Sequence, residues 1–217
     1  MQFPRHTRLW AQVEPTTPQA DVAHDAEHVL RVYRWALHLA PEAGADPDLA
    51  GAAALVHDLV AIPKDSAARA EGGARSAAAA PPALAKAGYT EPEIAIIVDA
   101  VATSSWSAGR PPNSPEGAVL QDADRLDAIG FIGFARCMAT AQAMAQRGAG
   151  SRFYDPADPF AEGRPLDDRA FAIDHLPRKL LRLAAGMSTP TAKAEAARRH
   201  EALLLVLGAL GREISPP

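Results

Sequence analysis

The sequence is poor in cysteine, holding a single one, Cys137, among 217 residues. That excludes an internal disulfide framework, and with no CxxC pair or Cys/His cluster it excludes the usual structural zinc module, so a reducing compartment fits. No apolar run approaches the roughly 18 uncharged residues that a membrane-spanning helix needs. The opening MQFPRHTRLWAQVEP lacks the basic segment and apolar core of an export signal. The chain is expected to be soluble and cytoplasmic, with no membrane partner. Neither charge sign dominates: 22 Lys+Arg against 26 Asp+Glu leave a net charge of −4. With both signs spread along the chain, the broad basic face that captures phosphate backbones is absent, and nucleic acid is not the expected partner. Alternating apolar and polar stretches of useful length are missing too, as are internal repeats, which argues against a sheet and against a solenoid.

What is abundant is alanine, including the run Ala77 to Ala80, and alanine favours helix because it loses no rotamer freedom on ordering. The expected fold is all-α, in a chain long enough to bury a core without covalent staples. Thr17-Pro18 reads as a cap and first helical position. Val22, Val29, Val32, Ala36 and Leu39 then recur at helical intervals, with Pro41 as the stop. Asp48 opens a nearly all-apolar helix through LAGAAALVHDLV, which implies an enclosed central element ending before Pro63. A polar stretch from Lys64 leads to helices around 75–80 and 82–87, and Glu91-Pro92-Glu93 starts another through IAIIVDAVATS. From Glu116 the run GAVLQDADRLDAIGFIGFARCMATAQAMAQ is expected to be one long helix. The Gly-, Pro- and Asp-rich interval 148–166 reads as a surface loop of lid-like length. Asp167-Asp168 opens a helix through HLPRKLLRLAAGM, and Thr189-Pro190 caps a last one.

Three of these helices carry metal-binding side chains towards the interior: His28 on the first, His57 and Asp58 on the second, and Asp124 beside Asp122 and Asp127 on the long one. Buried carboxylates are costly unless something holds them ionised, and a divalent cation does that for two aspartates while leaving two imidazoles neutral. Mixed nitrogen and oxygen ligands suit Mn, Fe, Co, Ni or Zn better than Ca, with Mg kept as a further candidate, and leave open positions for water and a phosphate oxygen. Such an ion activates water and takes up charge on a phosphoryl group, so phosphate-ester hydrolysis follows.

The segments HDAEHVLRV, ALVHDLV and QDADRLDAIGFIGFAR resemble the HD superfamily of hydrolases, whose pattern is a histidine, then a His-Asp pair, then a distant aspartate. DPFAEGRPLDD and FAIDHLPRKLLRL are similar to a bacterial branch of it, so the likeness covers nearly the whole chain. The resemblance implies a single helical bundle of about seven to nine helices over 1–217, with a core about 17–140 and helices 167–213 packed on it. It implies one divalent metal ion on His28, His57, Asp58 and Asp124, with Asp58 and His57 catalytic. Asp124 is preferred to Asp122 because the family's aspartate precedes an Arg-Leu pair. The expected reaction is metal-dependent hydrolysis of a phosphate ester, a nucleotide phosphomonoester first. Alternatives are phosphodiester or nucleoside triphosphate hydrolysis at the same site, or a non-catalytic metal- or nucleotide-binding regulator. The expected partner is a small phosphorylated molecule, and a homodimer is compatible. Relatives often carry a histidine where Ser104 precedes Ser105-Trp106, so a second metal there is not expected.

Around this set, His24, Lys64, Arg75, Asp122 and Arg125 are candidate substrate contacts, although His24 equally suits a helix surface and Arg31 and Arg125 better suit structural ion pairs with neighbouring acids. Asp127 and His175 are weaker candidates. His6, His38 and His200 are expected at the surface, and Phe131, Phe134, Met138 and Met144 have the spacing of core packing.

Overall fold

A computed structural model describes residues 1–18, 21–63, 66–148 and 151–214. It is helical, as expected, and among the described residues the only β pairing is an isolated bridge between Arg152 and Phe171. Contacts divide the chain into two compact units, Met1–Asp124 and Arg125–Pro217. No single described helix is long and apolar enough to cross a membrane.

The first unit contains α1 (Pro4–Val13), α2 (Ala26–Ala43), α3 (Pro47–Val56), α4 (Gly72–Ala79), α5 (Pro81–Ala87), α6 (Glu91–Ala102) and the start of α7 (Pro115–Asp127). At its centre α3 buries every residue from Leu49 to Val56, as its continuous apolar sequence predicts, and packs against α1, α2 and α6. Small side chains let the neighbours close in. A Cβ on Gly51 would sit 2.5 Å from His6 Cε1, so the glycine makes room for that ring.

Two borders of α2 differ from expectation. It starts at Ala26 under an Asp25 cap, not at Pro18, and Val22 lies outside it, 69% exposed rather than on the buried face. The Asp21 side chain accepts from the Ala23 amide at 2.9 Å, a local bond that competes with helix. At the other end Pro41 does not stop the helix. Gly44, at φ 68°, does so: its amide bonds Pro41 O and the Ala45 amide bonds Ala40 O, which satisfies the last carbonyls.

His6, expected at the surface, is wholly buried at the head of α3. Its Nε2 lies 2.8 Å from Asp48 O and 2.9 Å from Asp48 Oδ1, both acceptors, so Nε2 carries the proton and Nδ1 accepts from Tyr33 OH at 2.9 Å. Tyr33 in turn accepts from the Gln2 amide. Burial pushes the His6 pKa below its ordinary value, against the opposing pull of Asp48. Because the unfolded chain then binds the proton more readily, this contribution to stability is complete above about pH 6.5 and is lost as pH falls through the interval below it. Urea midpoints measured from pH 7.5 to 5 are expected to decline on the acid side, and His6→Gln to flatten that part of the profile. An unchanged acid slope in the variant would remove His6 as its source. His38 is exposed and His200 half-buried.

In the second unit the expected single long helix is broken. α7 ends at Asp127, and α8 (Gly130–Gln146) begins at a glycine with φ 78°. Arginines bind the last carbonyls of α7: Arg199 donates to Leu126 O at 2.6 Å and Arg136 to Asp127 O at 3.1 Å. A Cβ at Gly133 would lie 2.2 Å from Ala128 O, so only glycine tolerates the turn. The helix expected from Asp167 begins later, at Ala172, and is of mixed pitch. Asp167 Oδ1 accepts from the amides of Arg169 and Ala170, which delays the helix, and the chain then runs through a 3-10 turn at Ala172–Asp174, a π-helical segment at Leu176–Leu180, α9 (Leu181–Leu183) and a 3-10 turn at Ala184–Gly186. α10 (Pro190–Ile214) starts as expected, with Thr189 Oγ1 accepting from the Ala192 amide. Of the four residues expected in the core, Phe131 is exposed, Phe134 and Met138 are half-buried and Met144 is buried. In the described part of the 148–166 loop, Arg164 grips Asp174 through both carboxylate oxygens and lies 3.1 Å from Asp155, while Phe160 packs against Gly211 of α10.

Candidate metal centre

Each end of the site's geometry is fixed by a helix terminus. His28 occupies the first turn of α2, where Asp25 Oδ1 accepts from its amide at 3.0 Å. His57 caps the C-terminus of α3, and its Nδ1 donates to Ala54 O at 2.8 Å. That bond assigns the proton to Nδ1 and leaves the Nε2 lone pair facing inwards. Asp58 follows directly, and Asp124 comes from the last turns of α7. That helix is tied into the first unit by Gln121, which donates to Thr103 O and Arg110 O, and by Glu116, which accepts from the Asp46 amide.

The four side chains meet. His28 Nε2 lies 3.5 Å from Asp58 Oδ2 and 3.6 Å from Asp124 Oδ1, and His57 Nε2 lies 3.7 and 3.9 Å from the same two atoms. The two rings are edge to face at 5.3 Å. The imidazoles are almost fully buried, while Asp58 and Asp124 are about one-third exposed, at 36% and 33%. Ligand atoms of His28, His57 and Asp58 all lie within 4.8 Å of one another, close enough to hold one ion. These separations are at or beyond hydrogen-bond length and near the roughly 3.0–3.4 Å between atoms that share an ion through bonds of about 2.1 Å. Most telling is His57 Nε2, buried without a hydrogen-bond partner. An unsatisfied buried acceptor costs about 1–3 kcal/mol, and a cation removes that cost.

The other expected residues distribute differently. His24 lies beside the cluster, its ring 6.2 Å from that of His28 and its Nδ1 2.8 Å from Asp21 Oδ2. Asp122 is wholly buried, and the carboxylate at the imidazoles is that of Asp124. Arg75 sits in an exposed pair with Glu71 at 2.7 Å. Arg125 donates to Gly186 O, Asp127 pairs with Arg136, and His175 pairs with Asp168. Lys64 lies outside the described residues. Ser104 is buried and donates to Val101 O. Asp21 and Asp25 had escaped notice, although Asp-x-x-His before an apolar helical run is a legible cap signal.

The HD-domain profile matches residues 25–129, the stretch that carries all four side chains. The Bacillus subtilis protein YpgQ is 30% identical over 212 residues, covering 95% of this chain and 91% of its own. The chain belongs to the HD-domain superfamily. A solved structure from Lactobacillus plantarum is similar at 30% identity and TM-score 0.75, covering 98% of both chains. YpgQ has been solved in complex with ADP; it matches at 27% identity and TM-score 0.69, over 97% of this chain and 98% of that one. An HD-superfamily hydrolase from Bacillus thuringiensis matches at 27% identity and TM-score 0.64, over 96% and 100%. HD-domain proteins bind divalent metals, and metal-dependent phosphohydrolase chemistry is what membership supports in general terms.

Proposed function

We propose that the chain hydrolyses a phosphate ester of a nucleotide, with one divalent cation held by His28, His57, Asp58 and Asp124. The observation that carries this reading is the buried, unpartnered Nε2 of His57 among two carboxylates and a second imidazole. When bound, the ion supplies Lewis acidity towards water and the phosphoryl oxygens. The protein's own groups do the rest. The Ala54 carbonyl keeps the His57 tautomer with Nε2 unprotonated, and the buried rings give the cluster a dry floor. Asp58 and Asp124, both partly exposed, face the side from which substrate and water arrive. Asp58 takes the proton from the attacking water as the new P–O bond forms and passes it to the leaving alcohol oxygen as the ester P–O bond breaks.

The nucleotide assignment rests on likeness to YpgQ, which binds ADP. It places nucleoside mono-, di- and triphosphates first in any panel. Chelator-treated protein is expected to be inert on that panel, and addition of Mn, Co, Ni, Zn or Mg singly to restore phosphate or pyrophosphate release with one metal preferred. Product analysis then separates a monoesterase from a triphosphate hydrolase. Tight nucleotide binding with no turnover under any metal would replace the hydrolase reading by that of a binding regulator.

A further inference from the structure

We propose that Asp25 is a positioning residue for the metal centre, ordering the turn that presents His28 before any ion arrives. This rests on the reading of His28 as a ligand and adds the question of what aims it. Asp25 has extended backbone, φ −80° and ψ −178°, and ends the non-helical approach to α2. His28 stands in the third position of the helix, where an amide has no carbonyl within the helix to bond. Asp25 Oδ1 supplies that acceptor at 3.0 Å, and Asp25 O receives the Val29 amide at 3.4 Å. The cap therefore acts on the peptide of the ligand itself.

The approach is held by a second aspartate. Asp21 Oδ1 accepts from the Ala23 amide at 2.9 Å and its Oδ2 meets His24 Nδ1 at 2.8 Å, so His24 is fixed against the edge of His28. His24, His28 and His57 form a row of edge-to-face rings whose first member is anchored by Asp21 and whose last is anchored by the Ala54 carbonyl. His28, in the middle, has its backbone anchored by Asp25. A ligand on a frayed first turn would have to be ordered by the ion, and that ordering is subtracted from affinity.

The test is Co(II) titration of the full chain at a temperature where every variant is folded, followed by visible absorption and by calorimetry. Wild type is expected to bind and His28→Ala to lose the spectrum, which tests the ligand reading by itself. Asp25→Ala is expected to bind about 10-fold more weakly with an altered Co(II) spectrum. Asp25→Ser and Asp25→Asn, whose side chains also cap, are expected to return within about twofold of wild type. Asp25→Ala binding like wild type would overturn the proposal while leaving the ligand reading intact. So would Asp25→Ser binding as weakly as Asp25→Ala, since a cap would then not be the cause. A wild-type chain that binds no Co(II) overturns both.

Discussion

Asp58→Ala is expected to abolish metal-dependent phosphate release, by about 10³-fold or more, while leaving the helical content and melting behaviour of the metal-free protein near those of wild type. The two halves have separate causes. Asp58 is 36% exposed and follows the end of α3, so its truncation opens no cavity in the core. Yet its Oδ2 lies 3.5 and 3.7 Å from the two imidazoles, where it contributes one of two negative charges. Charge stabilisation by a site-bound metal contributes several kcal/mol to a transition state, and about 1.4 kcal/mol corresponds to tenfold in rate. His57→Ala should match the loss in rate but also lower the melting temperature, because its ring is buried. Asp124→Ala is expected to behave as Asp58→Ala, whereas Asp122→Ala, at a wholly buried position, should act mainly on stability. Phosphate release, bound metal and circular dichroism on the same preparations decide this. Retention of wild-type turnover by Asp58→Ala would end the proposed mechanism.

Asp48→Ala should be the most destabilising polar substitution in the first unit, lowering the melting temperature of metal-free protein by about 6–12 °C. Asp48 Oδ2 accepts from Arg5 Nε at 3.0 Å and Nη2 at 2.7 Å, and its Oδ1 accepts from Tyr89 OH at 2.8 Å and lies 2.9 Å from His6 Nε2. Arg5 also bonds Glu93 at 2.8 Å and lies 4.1 Å from the Tyr89 ring centroid. Glu93, held by the Thr90 amide and by Arg5, has its carboxyl lowered to about 2, and burial raises the Tyr89 hydroxyl well above its ordinary range. Removing the Asp48 carboxylate takes the acceptor from the Tyr89 hydroxyl, one of two acidic partners from Arg5 and one of two acceptors from His6 Nε2. Breaking a buried pair from one side costs about 3–5 kcal/mol, and we take the lower end because Arg5 is 24% exposed. At about 2–4 °C per kcal/mol for a chain of this length, that gives the stated range. Arg75→Ala, which breaks only the exposed pair with Glu71, is the control and should shift melting by under about 2 °C. Equal melting of Asp48→Ala and Arg75→Ala would refute the structural role assigned to Asp48.

The four side chains that converge in the structure were legible in the sequence partly on physical grounds and partly by resemblance. His57 and Asp58 end a continuous apolar run, where ionisable groups have few explanations other than a shared partner, while His28 and Asp124 stand in charged segments, HDAEHVLRV and QDADRLDA, and were legible through their resemblance to the HD superfamily. The surrounding substrate contacts were not readable in this way. Arg75 and Arg125 are as common in type at a surface pair as at a phosphate, and the structure puts them on Glu71 and on the Gly186 carbonyl.

Local sequence also misled at the points where distant groups act. Periodicity ran α7 and α8 together, because the arginines that cap the break, Arg136 and Arg199, lie nine and 73 residues away from the carbonyls they bind. His6 looked like a surface residue because its enclosure depends on Tyr33, Asp48 and Gly51. By itself the sequence determined the helical class and the central place of α3, since apolar spacing acts along a single segment, and its resemblance to the HD superfamily named the four groups that the structure brings together. Tertiary structure alone decided the break after Asp127 and the burial of His6. Each of those is settled by hydrogen bonds and packing between residues far apart in the chain, which no local pattern encodes.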